Sequence, residues 1–248
     1  MRSVHTAAVF LIAVIVFALI YKLPAKFIYQ QLPSNASIQL KGISGSIWSG
    51  HVDEISTPQL SINNLDWDLS VWALLVGDVD MRWMLNDSAM ELQGDVSLSN
   101  DYLKLSDMQG SIDLVELGER LPEQEILLGG KIELDITTIE IESNEVIDAI
   151  GTINWEPAQL LLPRNIELGK FKAELSSDLG ALVADLSDTG GATSLAGDFN
   201  LLVNGKYSYT VTLSVIDTSV PGLLEGFNQL APHDHNGRAN LNGHGMLF

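Results

Sequence analysis

No cysteine occurs in the 248 residues, which excludes a disulfide framework and any thiolate metal site. Basic residues are scarce: 13 Lys and Arg stand against 32 Asp and Glu, for a formal net charge of −19. All the acids lie at Asp53 or later, and Arg2, Lys22 and Lys26 are the only basic residues before residue 30. A body that acidic repels nucleic acid and anionic headgroups, so neither is expected as a surface partner. Several chemical signatures are also missing. A Gly-x-x-x-x-Gly-Lys-[Ser/Thr] phosphate loop and a dinucleotide-binding glycine run at a strand–helix junction are both absent. The nearest approach to a serine-nucleophile turn, GISGSIWSG at Gly42–Gly50, lacks the Gly-x-Ser-x-Gly spacing and has no helix after it.

Long apolar runs are confined to the N-terminus. TAAVFLIAVIVFALIYKL, Thr6–Leu23, carries no charge before Lys22 and includes Ala7, Phe10, Ile15, Phe17 and Tyr21. At about 1.5 Å per helical residue it nearly crosses a hydrocarbon core of roughly 30 Å. Tyr21, Phe27 and Tyr29 stand where an aromatic belt belongs. A cleaved signal peptide is the competing reading. Its best site, Val16-Phe17-Ala18, would leave Leu19-Ile20-Tyr21 on the mature end. The expected organisation is a tail at 1–5, a transmembrane anchor and juxtamembrane helix at 6–29, and a β-rich domain at 30–248. The short tail argues for a signal-anchor in a bacterial inner membrane with the body in the periplasm, although charge alone does not orient the segment.

Beyond residue 30 the pattern turns to alternation of period two, as in IELDITTIEI and YSYTVTLSV. One motif recurs: Gly, any residue, apolar, any residue, apolar. It begins at Gly77, Gly94, Gly110, Gly130, Gly151, Gly197 and Gly205, with a degenerate copy at Gly237. Spacings of about 16 to 21 residues between the first copies match an up-and-down pair of strands. Glycine at a strand entrance permits a bulge or corner, and alternation then presents one apolar face. Gly45 opens a shortened copy, GSIW, which casts Trp48 as an inward plug at a sheet corner rather than a ligand-stacking ring.

Helices are few. SVWALLVG (70–77) reads as one or two turns capped by Ser70. VPGLLEGFNQLAP (220–232) places Leu223, Leu224, Phe227 and Leu230 on one face, a short late amphipathic helix. His233 and His235, with His244 nine residues on from the latter, have a spacing that could chelate a metal. No His-Glu helix supports it, so none is expected. Carboxylate pairs such as those in IEIES are what 32 acids supply by chance, and no catalytic residue or cofactor is expected.

The order of several segments carries a resemblance. After the apolar N-terminus come LKGISGSIWSGHVDEI, NNLDWDLSVWALLVGDVDMRW, AIGTINWEPAQLLLP and VPGLLEGFNQLAPHDHNGRANLNGHGML. These residues, including Gly45, Trp48, Gly50, Trp67, Gly77, Gly151, Trp155, Gly237 and Gly243, resemble the type II secretion system protein N family over essentially the whole chain. One departure is Val71-Trp72, where the family pattern leads one to expect a proline-containing helical turn. The resemblance implies an accessory inner-membrane scaffold or assembly component without enzymatic activity, acting through protein contacts in the export of folded proteins across the outer membrane. Its implied partners are other inner-membrane secretion components and the secretin. A looser similarity to AsmA-like envelope proteins implies a lipid held in an apolar groove, lined by residues such as Ile132, Leu134, Ile153 and Trp155. The expected fold is mainly β: a transmembrane helix, then a curved or rolled antiparallel sheet, an open barrel or taco, with one short late helix.

Overall fold

The computed structural model describes residues 24–25, 38–121, 127–162, 165–220, 223 and 238–247. Fourteen strands form one antiparallel sheet. They are β1 (Gln39–Lys41), β2 (Ser44–Gly45), β3 (Ser49–Ser56), β4 (Ser61–Leu69), β5 (Val79–Asn86), β6 (Met90–Ser99) and β7 (Tyr102–Asp113). The series continues with β8 (Leu127–Glu142), β9 (Glu145–Leu162), β10 (Ile166–Asp178), β11 (Ala181–Gly190), β12 (Thr193–Leu202), β13 (Lys206–Val215) and β14 (Arg238–Met246). From β3 to β14 each strand pairs with its successor, and both β1 and β2 pair with β3. The sheet is therefore a meander that stays open. Two short helices interrupt it, α1 (Val71–Val76) and α2 (Leu114–Arg120).

The alternation read in the sequence becomes a continuous apolar stripe. One register row runs Val52, Leu65, Leu85, Leu92, Gly110, Leu134, Ile153, Ala173, Leu186, Gly197, Val211, Leu241, crossing every strand from β3 to β14 without a polar residue. The adjacent row on the other face runs Asp66, Met84, Gln93, Gln109, Asp135, Thr152, Glu174, Asp185, Asp198 and Thr210, polar at every strand but β5. A one-residue slip anywhere would exchange the faces, so burial of the stripe fixes the register. Ile136, Leu175 and Ala184 pack with Met108, Leu134, Ile153 and Phe199 across six neighbouring strands, which rolls the face inward. Bulges near Gly94, Gly130 and Gly169 add the local twist that such curvature needs.

The glycine motif marks single strands rather than strand pairs. Gly94, Gly110, Gly130 and Gly151 lie within β6, β7, β8 and β9 in turn, and Gly197 lies within β12. Among the described copies, only Gly77 and Gly205 stand just ahead of a strand. Strands of up to 18 residues in β9 explain the difference: each copy spans one long strand and its turn.

The helices also differ from expectation. Ser70 does cap α1, its hydroxyl accepting from the Ala73 amide, and this helical turn forms without proline. No helix was anticipated at Leu114–Arg120. Asp113 caps it by accepting from the Val115 and Glu116 amides, and Glu116 stands in the first turn, where the helix dipole favours an acid. Of the anticipated late helix only Val220 and Leu223 are described. Leu223 is helical and fully buried, and the rest of 220–232 lies outside the described residues. The anchor segment 6–29 also lies outside them, apart from Pro24 and Ala25, so Ala7, Phe10, Ile15, Phe17 and Tyr21 are not placed. Among the described residues no helix is long and apolar enough to cross a membrane.

Candidate binding face and open edges

Because the strands alternate in direction, their connections fall on two rims. The first rim carries the β2–β3 hairpin, α1, and the turns at Asn100–Asp101, Ser143–Asn144, Leu179–Gly180 and Val203–Gly205. The second carries the turn at Asp87–Ala89, α2, and the Gly191–Ala192 turn.

The β2–β3 hairpin is the GISGSIWSG stretch. Ser46 N–H donates to the Ser49 carbonyl at 2.9 Å, closing a two-residue tip of Ile47 and Trp48. The Ser46 hydroxyl accepts from the amides of Trp48 and Ser49, both at 3.2 Å. Gly45 adopts φ +80°, and a Cβ there would meet the Ser49 carbonyl oxygen at 2.5 Å. Trp48 is buried, as a corner plug requires. Gly50 faces Trp67 across the ladder and leaves the room that the indole fills. The Trp67 Nε1–H then donates to the Ile47 carbonyl at 3.1 Å. The far end of the sheet repeats this arrangement. Tyr209 and Tyr207 lie over Gly243 and Gly245 of β14, and Tyr207 stacks between Tyr209 and Phe199. Trp155 on β9 donates to the Gly129 carbonyl at 2.9 Å and meets Phe171 edge-on at 5.8 Å. Gly77 caps α1 in the left-handed region, and Gly151 sits where a Cβ would be 2.8 Å from the Ile136 Cα. Gly237 lies outside the described residues.

Near β1 the rolled face holds a hollow of about 320 Å³ lined by Ala25, Leu40, Ile43, Ile47, Val52, Ile55, Leu65, Trp67, Leu69 and Met81. Every lining residue is apolar. The groove anticipated from the sequence lay further along: Leu134 and Ile153 instead join the packed cluster around Ile136, and Trp155 packs beside the cluster of Leu160 and Phe171.

At the second rim α2 is strapped down by a buried polar cluster that sequence reading missed. Asp87 accepts from the Asn63 amide, the Asn63 side chain, the Ala89 amide and, at 2.6 Å, the Arg120 guanidinium. Arg120 also donates to the Ser88 hydroxyl at 2.5 Å. Burial pushes the Asp87 carboxyl up, but the bonds from Ala89, Arg120 and Asn63 outweigh it and hold the group below the usual aspartate range. The only sequence clue was Asp-Ser-Ala between two alternating runs, a turn signal with no hint of its distant arginine. Elsewhere His51 bridges Asp66 at 2.8 Å and Asp53 at 3.2 Å. Among the described residues no group of three His, Asp or Glu could hold a metal, and His233 and His235 lie outside them.

The described strands thus form a single open sheet with one apolar face, and β1 and β14 stand at the two ends of the strand order among them. Comparison with known proteins gives the family. Residues 36–242 match the family described as type II secretion system (T2SS), protein N, so the chain belongs to that family. It is similar to type II secretion system protein N of Aeromonas hydrophila, 26% identical over 254 aligned positions covering 99% of each chain. The corresponding protein of Vibrio cholerae serotype O1 is 25% identical over 94% of this chain and 95% of its own. No solved structure matches.

Proposed function

We infer that this protein is a single-pass component of the inner membrane that scaffolds type II secretion through protein contacts, its sheet lying in the periplasm. The carrying observation is the open end at β14. Its nine residues pair only with β13 among the described strands. Edge strands normally carry lysine, proline or a bulge that blocks further pairing. Beyond Arg238 at its first position, Ala-Asn-Leu-Asn-Gly-His-Gly-Met has no lysine, arginine, acid or proline, and its register with β13 is unbroken. Such an edge fits a partner strand, which would receive main-chain hydrogen bonds along its length. Family membership supports other secretion components, including the secretin, as the source of that strand.

Photocrosslinkers placed at the exposed Asn240 and Asn242 in native membranes test this reading. Adducts with another secretion component are expected from both sites and not from exposed Asp185 in mid-sheet. Equal labelling from all three positions, or none from β14, refutes the edge as the contact. Resistance to carbonate extraction tests the anchor separately.

A lipid-holding role is the second reading, favoured by the apolar hollow at Leu40, Val52 and Trp67. Its volume lies at the low end of the range for ligand pockets. Stoichiometric phospholipid in the purified protein, without co-purifying secretion components, would favour this role over the scaffold.

A further inference from the structure

α1 is an anomaly. Its six residues, Val-Trp-Ala-Leu-Leu-Val, are apolar on every side, yet none is buried. Trp72 is 78% exposed, Leu75 66% and Val76 77%. A helix apolar all round belongs in a protein core or in lipid, and this one has no core above it. Both of its ends carry local caps. Ser70 receives the Ala73 amide, and the amides of Gly77 and Asp78 return to the carbonyls of Leu74 and Ala73. No charged residue lies in its first or last turn. Internal satisfaction of polar groups is what a lipid environment demands.

The position of α1 says which apolar environment is at hand. Pro24 bridges Ser46, and the Ala25 amide donates to Gly45, which ties the start of the described chain to the β2–β3 hairpin. The Trp48 carbonyl at that hairpin tip accepts from the Leu69 amide at 2.5 Å, one residue before the α1 cap. The uncharged run that begins at Thr6 ends at Leu23 apart from Lys22, immediately before Pro24. Two other turns of this rim carry Asp101 and Asn144 at their tips, and Leu179 and Leu247 are exposed singly along it, so α1, with Trp72, Leu74, Leu75 and Val76, is where exposed apolar side chains are densest.

We propose that α1 is seated in the bilayer interface, with Trp72, Leu75 and Val76 among the lipid headgroups and upper acyl chains beside the emerging anchor. The inference rests on the anchor reading of residues 6–29. A second contact fixes the tilt of the sheet on the membrane, which a single anchor cannot do, and turns the β14 edge to a constant side. Uncharged insertion of this kind suits zwitterionic lipid, since the acidic body gains nothing from anionic headgroups.

The test uses the full-length protein in phosphatidylcholine nanodiscs, with and without bromine on the upper acyl carbons. The emission of Trp72 is isolated as the difference between wild type and Trp72→Phe. Brominated lipid is expected to quench that difference severalfold, while aqueous iodide leaves it nearly unchanged. Leu75→Asp with Val76→Asp should keep the protein in the disc, shift the Trp72 emission to the red and reverse both quenching responses. Quenching by iodide and not by bromine in the wild type overturns the proposal. Shielding from both quenchers that depends on protein concentration assigns the corner to a second copy or a protein partner, and also overturns it. Elution of the protein without the disc is a separate result: it overturns the anchor reading and the interface seat together.

Discussion

At the scale of residues, glycine in this protein makes room for aromatic rings. The indole of Trp67 lies where a Cβ on Gly50 would be, 2.2 Å from its Cζ2. The tyrosines over Gly243 and Gly245 do the same at the opposite end, with closest approaches of 2.7 Å. Cross-strand rings laid on glycine protect strands near a sheet edge, where no further neighbour covers the backbone. Gly50→Val should therefore displace Trp67 and break its bond to the Ile47 carbonyl. The expected cost is about 2 kcal/mol, the usual size for overpacking, measured by urea unfolding of the detergent-solubilised protein. Gly77→Ala is the contrasting case. A Cβ there meets nothing within 4 Å, so only the positive φ of 96° opposes it. The cost of that change should be about 1–2 kcal/mol, set by the left-handed backbone alone with no steric part.

At the scale of elements, α2 is held by an apolar contact and a buried ion pair. Leu117 packs against the cluster of Leu85, Ala89 and Met90, and Arg120 reaches the fully enclosed Asp87 carboxylate. Arg120→Met removes one charge and leaves the other buried, which should destabilise by about 3 kcal/mol. Asp87→Asn keeps the shape but loses the charge-assisted bond, so a smaller loss is expected. Acid should act on the same strap. The folded-state pKa of Asp87 is lowered, so its contribution is fully present above the unfolded value of about 3.9 and is lost as pH falls through the folded value. Hydrogen exchange followed downward from neutral pH should show α2 losing protection below about pH 4. In Asp87→Asn that acid step should be absent. The two helices also show where sequence reading stops. Ser70 before an apolar run announced α1, whereas α2 lies inside what reads as one alternating stretch, and only Asp113 with Glu116 three residues on marked its start.

At the scale of the whole molecule, the two faces of the sheet were legible because burial enforces period two, and the row from Val52 to Leu241 needs nothing more than that alternation. The openness of the sheet was not legible, since closure depends on summed twist and bulges that no single strand encodes. The Asp87–Arg120 contact, 33 residues apart, was invisible for the same reason. The opposite face makes the last prediction. Glu174, Asp185 and Asp198 stand side by side on β10, β11 and β12, in a chain of net charge −19. Lys172 offsets Glu174 at 2.6 Å, and Asn200 donates to Asp198 at 2.8 Å, so Asp185 in the centre faces two carboxylates. Like charges directly opposed across strands destabilise by about 0.2–1 kcal/mol. Asp185→Asn should raise stability by about 0.5 kcal/mol at low ionic strength. Screening should erase the gain, because the Debye length falls from roughly 30 Å at about 0.01 M salt to roughly 3 Å at about 1 M. Urea unfolding at those two salt concentrations checks both parts: the wild type should gain stability with salt, and the variant should gain less. If the difference between the two proteins is the same in both salts, it comes from packing or hydrogen bonding at position 185, and repulsion along the acidic face is refuted.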